Sequence, residues 1–260
     1  MAITKEFSRI TPENLTPDHV RGLRLGEITR MFGTLGLIHR FKDETARNGL
    51  AAEPEVTWAY NAAMTLHANQ HRTNGHYKDH ILRVSLRPMV YWNIIDPTIA
   101  GGTLLHDSVE DQPFLFVYMF TGVWETDERI ARERCYEIIA RWGSQPIAEM
   151  VEVVTNPLLE EGQDKNLVHL EHTRDVIIPH RDGRVGKVSD FVDNAVGNHY
   201  TIGEKQERGD RKYLDEYQLH QSGLFLPDSR IAGEPRELLL AQLDEGHARA
   251  LARLSLLDAA

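Results

Sequence analysis

The chain has 260 residues, 41% of them hydrophobic and 26% charged, with a formal net charge of −10. The length allows one large core, and the acidic balance argues against broad nucleic-acid binding, which needs a basic surface. The lone Cys135 excludes an internal disulfide framework, and the absence of a signal-peptide pattern or of an apolar run long enough to span a bilayer predicts a cytoplasmic protein.

Helical periodicity dominates the chain, so we predict an all-α fold. Helix starts are marked by Thr16-Pro17, Glu53-Pro54 and Asp96-Pro97. The helix that begins at Glu53-Pro54 is expected to run to His71, and the one after Asp96 to continue to Gln112. A further helix is expected to begin at Asp79 or His80 and to bend or break at Pro88.

The second half of the chain continues in the same way. A charged helix is predicted from Thr126 to Trp142 and an apolar helix from Pro146 to Val154. Residues 156–184 are polar, and we interpret part of them as a mobile loop. A buried helix is expected from Val185 to Val196, and an amphipathic helix from Glu234 to Leu257.

The segment 104–111, with the sequence LLHDSVED, places four ionisable residues close together among apolar ones. On one helix, His106, Asp107, Glu110 and Asp111 would share a face, because residues three and four apart are neighbours. Neighbouring carboxylates repel one another, and burial disfavours their charge. A divalent cation among them would remove that cost, so the pattern predicts a metal site rather than a solvated helix end.

Two other segments supply further ligands. His80 follows Asp79, and Asp190 lies one helical turn before Asn194. The metal ligands are then predicted to be His80, His106, Asp107 and Asp190. Imidazole and carboxylate ligands suit manganese, iron or zinc, and we expect one divalent ion per chain.

These segments belong to a longer series of motifs. In chain order they are residues 66–80 (LHANQHRTNGHYKDH), 105–111, 142–143 with 153–155, and 187–194 (KVSDFVDN). The series resembles the motifs of the RelA/SpoT-type alarmone hydrolases over roughly residues 59–200. The resemblance implies an HD-domain helical bundle with helical extensions, placed at 1–55 for the N-terminal extension, 56–232 for the hydrolase core and 233–260 for a C-terminal helix packed on it.

The resemblance also implies a function. The chain is similar to a stand-alone small alarmone hydrolase, which uses Mn²⁺, with Fe²⁺ or Zn²⁺ as alternatives, to remove the 3′-pyrophosphate from a guanosine or adenosine alarmone, ppGpp or ppApp. The family's paired acidic residues correspond to Glu110 and Asp111, which would accept the proton of the attacking water. Arg72 would contact the base, and Lys187 and Asn194 the ribose or phosphates.

Two other functions stay open. An HD-domain nucleotidase would keep the metal ligands and change the substrate, although Arg72 and the Glu110-Asp111 pair argue against it. An interaction protein would neutralise a partner by direct binding, since stand-alone alarmone hydrolases can serve as antitoxins to toxic small alarmone synthetases. The apolar run Phe114–Phe120 is either part of the core or, if exposed, a surface for such a toxin or for self-association.

Overall fold

The computed structural model describes residues 10–72, 75–197 and 203–258, and the all-α prediction is confirmed over them. The described β-structure is one antiparallel pair of two-residue strands, β1 (His71–Arg72) with β2 (Gly75–His76). Gly75 has φ +141°, a backbone conformation that favours glycine and lets the chain turn back. From the sequence, Thr73-Asn74-Gly75 is expected to stop the helix that begins at Glu53-Pro54; Thr73 and Asn74 lie outside the described residues.

The helices before residue 125 are α1 (Pro17–Arg21), α2 (Leu25–Arg47), α3 (Pro54–Leu66), α4 (Tyr77–Trp92), α5 (Pro97–Leu105), α6 (Ser108–Asp111) and α7 (Pro113–Thr121). Those after it are α8 (Glu128–Trp142), α9 (Gln145–Val154), α10 (Lys165–His172), α11 (Arg181–Asn194), α12 (Glu204–Tyr213), α13 (Glu216–Gly223) and α14 (Gly233–Asp258). Leu50–Ala52 forms a 3₁₀ turn and Thr173–Ile177 a π-helical turn. Within the described residues, we find no helix with the length and apolar character needed to cross a membrane.

Several predicted boundaries are wrong. Helix α3 ends at Leu66 rather than His71, because His71 is paired with His76 across the hairpin. Helix α4 starts at Tyr77 and continues through Pro88 without a break. Residues 156–184 contain α10 and the π-helical turn in addition to a loop, and α12 and α13 occupy a stretch for which the sequence predicted no helix.

The predicted helix over residues 97–111 is divided in two. Asp96 begins α5 as its N-cap, accepting the backbone N–H groups of Thr98 and Ile99, as expected. Helix α5 ends at Leu105 and α6 begins at Ser108, while His106 and Asp107 between them keep backbone angles in the right-handed helical region, at φ −53°, ψ −36° and φ −97°, ψ −8°. His106 and Asp107 therefore form a turn between two helices rather than part of one continuous helix.

Buried apolar side chains among the described residues form two clusters. The larger joins residues of α1 to α9. The smaller joins α11, α13 and α14 around Phe191, Tyr217 and Leu243, with contributions from α4, α5 and α9. Helices α4, α5 and α11 pack on one another. Gly102 permits close approach of α9 to α5, because a Cβ there would lie 2.3 Å from the Sδ atom of Met150.

Candidate metal centre

The three mutually packed helices bring distant residues to one point. His80 lies on α4, His106 follows the end of α5, and Asp190 lies on α11. One ligand atom from each lies within 4.8 Å of the others, and all three residues are buried. The fold therefore assembles three of the four predicted ligands as one cluster of metal-binding side chains.

The distances are short. The Nε2 atoms of His80 and His106 are 3.2 Å apart. Asp107 Oδ2 lies 3.3 Å from His80 Nε2 and 3.1 Å from His106 Nε2, and Asp190 Oδ1 lies 3.3 Å and 3.7 Å from the same two atoms. Asp107, the fourth predicted ligand, is thus close to both imidazoles.

Hydrogen bonds on the far side of each ring orient the imidazoles. His106 Nδ1 lies 2.8 Å from the carbonyl oxygen of Thr103, which can only accept, and His80 Nδ1 lies 2.8 Å from Asp193 Oδ2. In the neutral rings the proton is therefore on Nδ1, and both Nε2 lone pairs face the centre. Two imidazole lone pairs directed at the same point as two carboxylates form a donor set that fits a divalent metal.

The charges at the centre support the same conclusion. Burial opposes protonation of the imidazoles, but the carboxylates outweigh it: Asp107 and Asp190 raise the pKa of His106 to about 10, and the pKa of His80 is also raised. Burial likewise opposes ionisation of Asp190, but Lys187 and the two imidazoles hold its pKa well below the ordinary value. The centre thus attracts positive charge, which a bound metal would supply in place of the protons.

Asp193 is a site residue that sequence reasoning missed. Its carboxylate accepts hydrogen bonds from Arg83 Nε and Nη2, both at 2.8 Å, and from Arg87 Nη2 at 3.0 Å, in addition to its contact with His80. The one available signal was the position of Asp193 three residues after Asp190, with Arg83 and Arg87 one helical turn apart on α4. Asp193 therefore fixes the His80 ring with its Nε2 atom directed to the centre.

Replacing Asp193 with alanine should weaken metal binding by about 10–100-fold, the usual effect of losing a residue that orients a histidine ligand. Titration of the metal-free protein with Mn²⁺ would measure the change. Asp182→Ala is the matched control, because Asp182 lies on the same helix and bonds instead to Arg230. Equal affinities for the two variants would contradict this role of Asp193.

The predicted substrate-binding residues lie around the same centre. Lys187 Nζ is 3.3 Å from Asp190 Oδ2, and Asn194 Nδ2 donates to Asp190 Oδ1 at 2.6 Å. Both side chains thus contact a predicted metal ligand. The Arg72 guanidinium lies 4.9 Å over the ring of Tyr77, whose hydroxyl donates to Asp107 Oδ2 at 2.6 Å.

The two predicted catalytic carboxylates are held by different partners. Glu110 accepts hydrogen bonds from Asn156, whose Nδ2 lies 2.8 Å and 3.1 Å from its two carboxylate oxygens. Asp111 accepts one from Gln70 Nε2 at 2.7 Å. Neither amide was identified from the sequence, because each is far along the chain from its carboxylate. The catalytic assignment of Glu110 and Asp111 stays a prediction.

The apolar run Phe114–Phe120 divides between core and surface. Phe116 and Val117 are fully buried, which agrees with the core interpretation. On the other side of α7, Tyr118 is 49% exposed and its ring makes an edge contact with that of Trp124, which is 59% exposed. One face of the run is therefore open to solvent.

Comparison with known proteins supports the fold. No protein-family model matches this chain, and no characterised protein matches it by sequence. Among solved structures, the chain is similar to one described as a metazoan ortholog of SpoT that hydrolyses ppGpp and plays a role in starvation responses. The match has a TM-score of 0.53 and 20% sequence identity, and it covers 75% of this chain and 94% of the other. The predicted resemblance in fold is confirmed.

Proposed function

We propose that this protein is a metal-dependent hydrolase that removes pyrophosphate from the 3′ position of a guanosine or adenosine alarmone. The observation that carries the proposal is the convergence of two imidazole Nε2 atoms with Asp107 and Asp190. The fold shared with a ppGpp hydrolase supports this substrate class. The proposed ion is Mn²⁺, bound by His80, His106, Asp107 and Asp190.

The side chains around this ion would have separate roles in hydrolysis. Bound there, a divalent metal lowers the pKa of a water and stabilises negative charge on a phosphoryl group. Glu110 and Asp111 would orient the attacking water and accept its proton. The proposal gives Tyr77 the task of holding Asp107, and Asp193 that of holding His80.

Substrate contacts would come from residues around the same centre. Arg72 would stack on or hydrogen-bond the purine base, since a planar guanidinium suits both. Lys187 and Asn194, which contact Asp190, would turn toward the ribose or phosphates when nucleotide binds.

A nucleotide panel tests the proposal. Incubated with the Mn²⁺-loaded protein, ppGpp or ppApp should yield pyrophosphate and the nucleoside that keeps its 5′ phosphates, while deoxynucleoside monophosphates and 2′,3′-cyclic nucleotides should react poorly. Chromatography of the products would identify the bond that is cleaved. Release of orthophosphate from deoxynucleotides, with both alarmones left intact, would instead favour the nucleotidase.

A second candidate function is direct binding of a toxin partner. The solvent-exposed side of α7 is the observation that favours it. Tyr118 and Trp124 offer aromatic surface of the kind found at protein interfaces. In cells that express a toxic small alarmone synthetase, a hydrolytic antitoxin would lose protection when Glu110 is replaced by glutamine. A binding antitoxin would keep protection with Glu110→Gln and lose it with Tyr118→Ser.

A further inference from the structure

Behind Glu110 lies a second group of buried polar side chains that the metal centre does not use. His169 on α10 is 6% exposed, and Glu216 and His220 on α13 are each 1% exposed. Asn156, in the segment after α9, lies between this group and Glu110. None of these residues belongs to the motifs that the sequence analysis assigned to the site.

The Asn156 side chain donates hydrogen bonds to Glu110 and accepts one from His169. Its backbone N–H and its Nδ2 both donate to the Glu110 carboxylate, at 3.3 Å for the backbone and 2.8 Å for the shorter side-chain bond. Asn156 Oδ1 is then the acceptor, and His169 Nδ1 lies 2.5 Å from it. Because an amide oxygen can only accept, the His169 ring places its Nδ1–H toward Asn156.

The other side of the His169 ring faces a buried carboxylate. His169 Nε2 is 2.9 Å from Glu216 Oε1, an ion-pair contact that lacks hydrogen-bond geometry. Burial opposes ionisation of Glu216, but His169 and His220 outweigh it and lower the pKa of Glu216 to about 2. With an amide oxygen on one side and a carboxylate on the other, His169 has one favourable orientation.

Lys187 connects this group electrostatically with the metal centre. Burial opposes its positive charge, but Asp190, Glu216, Glu110 and Asp107 together outweigh that cost and raise the pKa of the ammonium group. Glu216 and Glu110 therefore act on the same buried cation as Asp190.

Asp111, the second predicted catalytic carboxylate, is also hydrogen-bonded by a side-chain amide, here that of Gln70. Gln70 Nε2 donates to Asp111, and Gln70 Oε1 lies 2.6 Å from Nδ1 of His67, which is fully buried. Each predicted catalytic carboxylate is therefore bound by a side-chain amide, and each amide oxygen faces the Nδ1 of a buried histidine. The same amide–histidine pair thus occurs at both carboxylates, formed by distant segments of the chain. This recurrence indicates a role in positioning the carboxylates.

We propose that Asn156, His169 and Glu216, here called the Glu110 relay, are positioning residues that fix the orientation of the Glu110 carboxylate for its role in hydrolysis. The proposal rests on the proposed function and adds residues to it from α10 and α13. A carboxylate held at both oxygens presents a constant direction to the attacking water, and orientation of this kind contributes strongly to turnover. The relay should therefore affect kcat more than KM.

Four substitutions test the relay in the Mn²⁺-loaded full chain. Asn156→Ala removes the side-chain donor to Glu110 and leaves the backbone donor, and Glu216→Gln removes the charge behind His169 while keeping its shape. His169→Asn keeps a donor near the position of Nδ1, whereas His169→Gln keeps one near Nε2 and loses the bond to Asn156. His172→Gln is the control, because this second histidine of α10 contacts the backbone carbonyl of Val153 instead.

We expect Asn156→Ala and His169→Gln to lower kcat for pyrophosphate release by about 10–100-fold, with KM and metal content close to wild type. Glu216→Gln should lower kcat in the same direction. His169→Asn should recover much of the rate that His169→Gln loses, a difference that a purely structural role would not produce. His172→Gln should behave like the wild type.

The outcomes separate the two proposals. An active wild type whose Asn156→Ala variant keeps its full kcat would overturn the relay and leave the proposed function standing. Equal loss of rate and of bound metal in both His169 variants would also overturn the relay, because these residues would then serve folding or metal binding. A wild type that leaves both alarmones intact would overturn the proposed function, and the relay with it.

Discussion

Replacing His106 with alanine should reduce bound metal from one ion per chain to a trace and abolish hydrolysis. The Nε2 lone pair of His106 faces the centre because its Nδ1–H is directed to the Thr103 carbonyl oxygen. Alanine removes this ligand and leaves Asp107 and Asp190 close together with less positive charge between them. Metal analysis of the purified variant, together with the shift in melting temperature on addition of Mn²⁺, would measure the loss.

The matched control is His71→Ala. His71 is an exposed histidine on β1, and its ring contacts that of His76 rather than the centre. This variant should bind one ion and should show the same Mn²⁺-dependent rise in melting temperature as the wild type. Normal metal loading in His106→Ala would contradict the assignment of His106 as a ligand.

Replacing Glu110 with glutamine should separate chemistry from binding. The variant should keep its metal and its affinity for nucleotide, while kcat falls by about 10²–10⁴-fold, the usual contribution of general acid–base catalysis. Glutamine has nearly the same shape as glutamate but cannot accept the proton of the attacking water. Single-turnover kinetics with ppGpp, alongside metal analysis, would distinguish slower chemistry from weaker binding.

Glu149→Gln is the control for that substitution, since Glu149 is an exposed glutamate on α9 whose contact is with Gln145. Its kcat should match that of the wild type. Unchanged turnover in Glu110→Gln would move the proton-accepting role to another group. We expect a larger effect for Glu110 than for Asn156, because the proposed role of Asn156 is to position Glu110.

Short-range features of the fold were readable from the sequence. The Asp96 cap and the C-terminal helix, expected over 234–257 and found over 233–258, depend on residues within a few positions of one another. The interruption at His106-Asp107 was not readable, because spacing alone favoured one continuous helix over 97–111. Helices α12 and α13 were missed for a related reason: α12 is strongly charged, and α13 is stabilised by packing around Tyr217.

The sequence by itself determined the candidate ligands, since the types and order of His80, His106, Asp107 and Asp190 already predicted a metal centre. Only the tertiary structure decided which groups orient them. His80 and Asp193 are 113 residues apart, and Glu110 and Asn156 are 46 apart. Helical periodicity reports contacts three and four residues away, whereas these pairs meet only when whole helices pack. The candidate ligands were therefore visible in the sequence, and their supporting side chains were not.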